Sequence, residues 1–216
     1  GQSFGAFAVR HMHMDLEGEA NDYVGKSLSG GEISIRPFRQ AAYSHATHEN
    51  TIVGNTCLYG ATAGKLFAAG QAGSRFAVRN SGAIAVIEGA GNHCCEYMTG
   101  GMVVVLGAVG RNFGAGMSNG VAYVLDENGG FASRVNSDMV RVDTCTEADE
   151  TLLLALLHEH QERTGSARAR ELIDRWDAFR LLFKKVVPNT TPAAPSAAVQ
   201  PSRPAPEPRP EPAGAR

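Results

Sequence analysis

The chain has 216 residues, of which 43% are hydrophobic and 19% are charged, and its formal net charge is −2. That balance is typical of one globular domain or two small ones, and it gives no electrostatic reason to expect nucleic acid or an acidic membrane surface as a partner. The sequence contains no uninterrupted run of about 18 apolar residues, so no membrane span is expected. Because it begins at Gly1 without a signal-peptide pattern, we expect a fragment or a processed product.

Glycine is concentrated in the first part of the chain and proline in the last. Of 25 glycines, 23 lie within residues 1–130, and every proline except Pro37 lies within 188–216. The glycine-rich part has no Gly-X-Y period and is rich in Val, Ile, Leu and Ala, which excludes collagen and disorder. A structural repeat is therefore the remaining explanation.

The glycines recur at a fixed spacing. From Gly64 to Gly120 the leading glycines lie 18 or 19 residues apart, and a second glycine follows each of them by nine residues. Excising a 14-residue excursion, Pro37 to Asn50, extends the same phase back to Gly31 and Met12. Glycine at such corners allows a turn with positive φ. The predicted structural turns are Gly31, Gly54, Gly64, Gly73, Gly82, Gly91, Gly101, Gly110, Gly120 and Gly129.

The five residues after each leading position alternate as in a strand with one face in a core. The second and fourth residues are apolar in all six segments. The predicted inward side chains are Met14, Leu16, Ile33, Ile35, Leu66, Ala68, Ile84, Val86, Val103, Val105, Ala122 and Val124. A second inward column is predicted twelve residues after the leading positions, at Val24, Cys57, Phe76, Cys94 and Phe113.

This repeat predicts a mainly β fold, a single-stranded parallel β-helix with about 19 residues per coil, over residues 1–145. Each coil adds one strand, and stacked coils share a core that no single coil could bury. Because Gly101 is assigned to a corner with positive φ, we expect Gly101→Val to lower stability by about 1–2 kcal/mol.

The outward positions of the last two predicted strands are apolar as well. A strand that is apolar on both faces is usually covered on both faces, so this wall is predicted to pack against another element. The candidate interface residues are Met102, Val104, Leu106, Val121, Tyr123 and Leu125. They are the first candidates for contact with neighbouring domains.

Two helices are predicted after the coils, within residues 146–187. Thr146 is the expected N-cap of the first, with Asp149 completing a capping box, and Gly165 ends it. Ser166 is the expected N-cap of a second helix over 167–187. This helical pair is expected to cover a flank or an end of the solenoid, or to dock on a separate domain. Residues 188–216 are rich in Pro and Ala and are predicted to form a disordered tail.

No residue of this sequence is assigned a catalytic, cofactor-binding or metal-binding role. Adjacent Cys94 and Cys95 are expected to face opposite sides of a strand, and the sequence has no CxxC pair, so buried reduced thiols are the favoured interpretation. Gly114 and Gly116 precede a strand rather than a helix, which favours a turn over a nucleotide-binding loop. Reduced cysteines favour a cytoplasmic protein.

Several long runs resemble the C-terminal domain of the large subunit of glutamate synthase, over residues 1 to about 187. The runs are Ala20-Asn21-Asp22-Tyr23-Val24-Gly25-Lys26, Gly54-Asn55-Thr56-Cys57-Leu58-Tyr59-Gly60-Ala61-Thr62, Arg75-Phe76-Ala77-Val78-Arg79-Asn80-Ser81-Gly82-Ala83, Cys95-Glu96-Tyr97-Met98-Thr99-Gly100-Gly101 and Asn112-Phe113-Gly114-Ala115-Gly116-Met117.

The resemblance implies a right-handed β-helix that carries a glycine-repeat motif and serves as a scaffold. In that family, the complete subunit converts L-glutamine and 2-oxoglutarate into two molecules of L-glutamate. It implies partners for this segment: an amidotransferase domain, an FMN-binding domain with an iron–sulfur cluster, and a small NADPH-oxidising subunit in some members. No cofactor is expected in this segment itself, and nucleic acid and membranes are not expected partners.

Two alternatives remain open from the sequence. The chain could be a free-standing β-helix subunit or interaction module, or it could resemble a formylmethanofuran dehydrogenase subunit, which has a related glycine repeat. A left-handed hexapeptide acyltransferase is excluded because an aliphatic residue does not recur every six positions: residues 90 and 96, six and twelve after Ile84, are Ala and Glu.

Overall fold

The computed structural model of the chain describes residues 1–190. Its strands are β1 His13–Glu17, β2 Ser29–Arg36, β3 Thr51–Val53, β4 Ala63–Ala72, β5 Ser81–Ala90, β6 Thr99–Val105, β7 Asn119–Leu125, β8 Val140–Thr144 and β9 Phe183–Pro188. Its α-helices are α1 Glu147–Thr164, α2 Ala167–Asp174 and α3 Trp176–Phe179. Short 3-10 turns occur at Thr47–Glu49, Phe131–Arg134 and Arg180–Leu182.

Six strands stack in parallel as the predicted solenoid. The order is β1-β2-β4-β5-β6-β7, and each strand pairs in parallel with the next. The short strand β3 pairs with the end of β4. The stack ends in two antiparallel strands, since β9 pairs with β7 on one side and β8 on the other. The predicted parallel β-helix is therefore confirmed.

The predicted inward face is confirmed in five strands and wrong in β5. In β5 the register sets Ala85 opposite Leu66 and Val103, so Ala85 and Ile87 point inward. The predicted pair, Ile84 and Val86, lies on the outer wall instead. A shift of one residue exchanges the two faces of a strand, and the residue in register with Gly64 and Gly101 is Ala83 rather than Gly82.

A bulge in β4 explains the error. Ala68 pairs with Ile87, which is 19 residues away, whereas Gln71 pairs with Gly89, which is 18 residues away. The extra residue is therefore absorbed at Ala69–Gly70, late in the strand, while Ala83 occupies the corner that had been assigned to Gly82.

The wall opposite the strands has an unusual backbone. Six triplets of residues have positive φ at alternate positions, with φ between 53° and 72°. The triplets are Ser3, Gly5 and Phe7; Tyr23, Gly25 and Ser27; Thr56, Leu58 and Gly60; Arg75, Ala77 and Arg79; His93, Cys95 and Tyr97; and Asn112, Gly114 and Gly116. We call these the left-handed wall. Most of these residues are not glycine, so composition alone does not reveal them.

Hydrogen bonds along the left-handed wall alternate in direction. In the first five triplets, the first and third residues donate their N–H to the following coil, as Thr56 donates to Ser74 and Gly60 to Val78. The middle residue donates to the preceding coil instead, as Leu58 donates to the carbonyl of Val24. The stacking of coils therefore satisfies a backbone that would be strained in isolation.

The predicted turn glycines serve two different purposes. Positive φ is found at Gly64, Gly101, Gly120 and Gly129. A second group, Gly54, Gly73, Gly91 and Gly110, forms a stacked column in which each N–H donates to the carbonyl one coil below, at 3.0–3.2 Å. In this column and at Gly82, a Cβ would approach a neighbouring coil too closely, and at Gly31 it would make tight contacts of 3.1–3.3 Å with the preceding coil. The positive-φ explanation therefore holds for only four of the ten.

The helix boundaries are confirmed for the first helix and partly wrong for the second. Thr146 and Asp149 form the predicted capping box, and Gly165 ends α1 with φ +69°. Ser166 caps α2, but that helix ends at Asp174. The second half of the predicted helix is instead a short helix, a 3-10 turn and strand β9, because Phe183 to Pro188 supply the edge that both β7 and β8 need. Most of the predicted tail, residues 191–216, lies outside the described residues.

Candidate functional site

The outer wall of the solenoid is covered by the chain's own helices. The predicted interface residues of β6 and β7 pack with Leu153, Leu157 and Leu172 of α1 and α2 into a second hydrophobic layer. Val104 and Leu106 are fully buried there, and Tyr123 is 1% exposed. The predicted cover is confirmed. However, it comes from within the chain, so these residues are not exposed for contact with another domain.

Helix α1 crosses the strands rather than running along them. Its first turn contacts β7, where Asp149 accepts a hydrogen bond from Tyr123, and its last turn contacts β2, where Arg163 pairs with Glu32 at 2.8 Å. Fourteen residues of helix span about 21 Å, and four strand spacings amount to about 19 Å. The helix therefore ties five neighbouring strands of the solenoid together.

The wall changes from apolar to charged along this helix. At the polar end, Lys65 of β4 donates to both carboxylate oxygens of Glu159, at 2.7 and 2.9 Å. Arg163 lies 3.9 Å from the same carboxylate and pairs with Glu32 as well. These ion pairs are partly exposed, so they fix the position of the helix more than they stabilise it.

Asp149 is the centre of a polar cluster at the apolar end. Its carboxylate accepts hydrogen bonds from Tyr123 (2.6 Å), Lys185 (2.8 and 3.0 Å) and the Thr146 backbone (2.8 Å). Burial raises the pKa of Asp149, but the hydrogen bonds from Lys185, Tyr123 and Thr146 outweigh burial and lower the pKa to about 2. For Tyr123, burial and the bond to Asp149 both raise the pKa. The cluster joins α1 to β7 and β9.

This cluster predicts a specific acid sensitivity. Because the pKa of Asp149 is lowered on folding, its stabilisation is present above the unfolded value near 3.8 and is lost as the pH falls towards 2. In urea unfolding, we expect wild-type stability to fall by about 2 kcal/mol across that window through this group. Asp149→Asn should lower stability at pH 7 and reduce this dependence on pH. The control is Glu147→Gln, an exposed residue of the same helical turn; an equal change in both variants would contradict the assignment.

Glu88 is the most completely buried charged group in the described chain. Its side chain, at the end of β5, has no exposed surface. The hydroxyls of Thr47 and Ser166 donate to its carboxylate, and His160 Nε2 lies 3.1 Å from Oε1. The four residues come from β5, the Pro37–Asn50 excursion, α1 and the cap of α2. One carboxylate therefore joins the four segments at a single point, and His160 Nδ1 has no partner within residues 1–190.

Arg168 anchors α2 in a comparable way. Its side chain is 4% exposed, its Nε donates to the carbonyl of Leu106 at 3.1 Å, and its guanidinium pairs with Glu127 and Glu171. The guanidinium also lies over the ring of Phe179, 5.8 Å from its centre. These contacts engage all three guanidinium nitrogens and one face of the group, which favours a structural role.

Two open clefts flank the excursion. One, of about 350 Å³, is lined by Arg36, Arg39, Glu162, Thr47 and Ser166, and the last two already donate to Glu88. The other, of about 560 Å³, has lining residues of both charges, among them Glu49 and Arg134. Neither arrangement pairs a nucleophile with an available base, so they support no particular reaction.

The cysteines are poorly placed for binding a metal ion. Burial raises the pKa of Cys57 and of Cys145 to about 12, and burial also raises that of Cys95, whereas a metal-binding thiol must be deprotonated. Cys94 and Cys95 do not face opposite sides as predicted: both are buried, with Sγ atoms 3.8 Å apart, because Cys95 has positive φ rather than strand geometry. Among the described residues, no group of three His, Cys, Asp or Glu could hold a metal ion.

Neither the Glu88 cluster nor the contacts of Asp149 with Tyr123 and Lys185 were predicted from the sequence. Glu88 ends the apolar run Ile84–Ile87, and a strand with such a run is buried up to its last residue. His160 follows Leu153 and Leu157 on the apolar stripe of α1, and a helical period would have placed it towards the wall. The sequence pattern thus predicts that Glu88 and His160 are each buried, but it does not predict that they contact each other.

Comparison with known proteins assigns this fold. The family model described as the GXGXG motif matches residues 1–189. The chain is 52% identical to ferredoxin-dependent glutamate synthase 2 of Synechocystis sp. over 198 residues, which cover 91% of this chain and 13% of that protein. It is 50% identical to ferredoxin-dependent glutamate synthase 1 of Arabidopsis thaliana over 206 residues, covering 94% of this chain and 13% of that protein.

A third relative is named for NADH rather than for ferredoxin. The glutamate synthase [NADH] of Schizosaccharomyces pombe is 51% identical over 189 residues, which cover 87% of this chain and 9% of that protein. The chain thus spans only about a tenth of the length of these relatives. In the described part of the chain, none of the helices is long and apolar enough to cross a bilayer.

Proposed function

The chain belongs to the GXGXG-motif family, and on that premise we propose that it is the β-helix domain of a glutamate synthase. The observation that carries the proposal is the identity of about 50% to glutamate synthases along nearly the whole described chain. The complete enzyme would convert L-glutamine and 2-oxoglutarate into two molecules of L-glutamate, as part of ammonia assimilation.

Within that enzyme, we assign the domain a scaffolding role without catalytic residues. This assignment is supported by the engagement of its buried charged groups: Glu88, Asp149 and Arg168 each bind partners on other elements of the same chain. Groups that are satisfied in this way hold elements together and are not free to transfer protons to a substrate.

The cofactors of the reaction would be bound elsewhere. FMN and an iron–sulfur cluster are proposed for the rest of the enzyme, because the four cysteines here are dispersed or buried and do not fit a cluster of thiolate ligands. The proposed partners are the amidotransferase and FMN-binding domains, with a small NADPH-oxidising subunit in some enzymes. The reduced cysteines support a cytoplasmic location.

The purified full chain provides the test. It should have no flavin absorbance and no stoichiometric iron, and it should form no glutamate from glutamine and 2-oxoglutarate with reduced ferredoxin or NADPH. A yellow protein, bound iron or turnover by the chain alone would contradict the scaffolding assignment. Circular dichroism of the same sample confirms that the β-helix is folded.

A further inference from the structure

The outer face of the left-handed wall is exposed along the stack. The helices cover the wall formed by the strands, and the hydrophobic layer beneath them contains no residue of the six triplets. On the left-handed wall, Tyr23 is 37% exposed and Tyr97 is 52% exposed, and Tyr59 is partly exposed in a coil between them. Three of the chain's five tyrosines therefore lie on this one wall.

Two cations of the same wall lie against these rings. Lys26 Nζ is 5.7 Å from the centre of the Tyr23 ring, and Arg79 Cζ is 6.0 Å from the centre of the Tyr97 ring. A cation is attracted to the face of an aromatic ring, but at an exposed site this attraction is weak. Each pair therefore presents a positive charge and an apolar ring side by side on the surface.

The positive charges of this wall lack carboxylate partners. The two carboxylates of the same segments are already engaged: Glu96 Oε2 lies 3.0 Å from Arg75 Nε, and Asp22 Oδ1 accepts a backbone N–H of the next coil at 2.7 Å. In the described part of the chain, Lys26 and Arg79 form no ion pair with any carboxylate. The wall therefore offers two uncompensated cations between exposed aromatic rings.

We propose that this surface binds an acidic surface of the remainder of the glutamate synthase. We call it the tyrosine–cation face, and it consists of Tyr23, Lys26, Tyr59, Arg79 and Tyr97. The proposal rests on the proposed function. Carboxylates of the partner would pair with Lys26 and Arg79, while apolar atoms of the partner cover the tyrosine rings. Tyr and Arg are the residue types enriched at the centres of protein interfaces, because each buries a large area and keeps a polar end.

Two other occupants fit this face less well. A second copy of the chain would set its own unpaired cations against the face and bring no free carboxylate with them. Nucleic acid is disfavoured because the chain has a net charge of −2 and a pI near 6.4, and two cations are few for a phosphate backbone. The matched region is 13% of each ferredoxin-dependent relative named above, so most of such an enzyme is available as the partner.

Side-chain labelling of the complete enzyme and of the isolated full chain tests the proposal. In hydroxyl-radical footprinting read by mass spectrometry, we expect Tyr23 and Tyr97 to be modified at least about fivefold more slowly in the complete enzyme. A carbodiimide joins an amine to a carboxylate that touches it. It should therefore link Lys26 to an Asp or Glu outside these 216 residues.

Variants of Arg79 test the role of charge. Arg79→Glu should abolish the protection of Tyr97, because the introduced carboxylate repels an acidic partner, whereas Arg79→Lys keeps the charge and should retain most of the protection. Arg170→Glu is the matched control: it reverses an exposed arginine on α2 and should leave the protection unchanged. Equal urea midpoints of the isolated variants would show that the fold is intact.

Four results would overturn the proposal. Equal labelling of both tyrosines in the two samples would exclude docking at this face, although the proposed function would stand if its cofactor and activity tests hold. Protection that persists in Arg79→Glu, without a cross-link from Lys26, would exclude an acidic partner. A dimer of the isolated chain in sedimentation, lost in Arg79→Glu, would make the occupant a second copy. Binding of a single-stranded oligonucleotide by the isolated chain, lost in the same variant, would make it nucleic acid.

Discussion

Gly101→Ala is expected to destabilise the chain by about 3 kcal/mol, more than its backbone angle alone would require. Gly101 has φ +83°, and an added Cβ would overlap the carbonyl oxygen of Ala83 in the coil below. That oxygen belongs to the stacked backbone and cannot move away without breaking the stack. The change should appear as a lower urea midpoint with an unchanged slope.

Two further substitutions separate the cost of positive φ from the cost of the steric overlap. Gly129 has positive φ (+68°), but no atom lies within 4 Å of an added Cβ. Gly129→Ala should therefore lower the free energy of unfolding by only about 1 kcal/mol. At Gly82, φ is not positive, but an added Cβ would overlap the carbonyl of Thr62, and we expect a loss of about 2 kcal/mol. Equal losses at Gly101 and Gly129 would show that coil stacking does not restrict these positions.

Glu88→Ala should cause the largest loss from any single polar side chain, about 3–5 kcal/mol. The substitution leaves the buried side chains of Thr47, His160 and Ser166 without their common acceptor. Glu88→Gln keeps the shape, but it replaces one acceptor oxygen with a donor and should have a smaller effect. Urea unfolding measures both.

The location of the effect distinguishes the cluster from a general loss of packing. Since Glu88 joins the Pro37–Asn50 excursion, α1 and α2 to β5, hydrogen exchange should accelerate in these segments before it does in β6 or β7. Glu49→Ala is the control: it lies in the same excursion and its side chain is 71% exposed. A loss of stability in Glu88→Ala that is no greater than in this control would show that the cluster does not join these elements.

The repeat in the sequence was sufficient to predict the solenoid because its cause is local. Strand alternation and corner glycines follow from steric rules that apply to each coil separately. The prediction was wrong at β5 because the 18-residue spacing of the glycines does not show at which position along the coil the register changes from 19 to 18 residues. The bulge at Ala69–Gly70 is determined by pairing between coils, and pairing is not visible in one coil.

The long-range polar contacts could not be predicted from the sequence, because they also depend on pairing between distant segments. Glu88 and His160 are 72 positions apart, and nothing in either segment encodes the other. The prediction of a second helix is wrong from Phe183 onwards for the same reason. A helical apolar period is present there, but this segment forms β9 because it pairs with the edges of β7 and β8. Tertiary pairing overrides local preference where a sheet needs an edge strand.

The left-handed wall could not be predicted from the glycine content of the sequence. Only five of the eighteen residues in its six triplets are glycine, and side chains such as Leu58, Arg75 and Tyr97 adopt positive φ. Such backbone is maintained where the surrounding structure determines it, here by hydrogen bonds to the coils on both sides. The wall therefore depends on the integrity of the stack.

The central claim is that this chain supports catalysis by a glutamate synthase without performing it. The most direct measurement is glutamate formation from glutamine and 2-oxoglutarate by the remainder of the enzyme, expressed without this region and assayed with and without the added chain. We expect no synthesis by the chain alone, a severe loss in the remainder alone, and recovery when the two are combined. Full activity of the remainder alone, or activity of the chain alone, would contradict the claim.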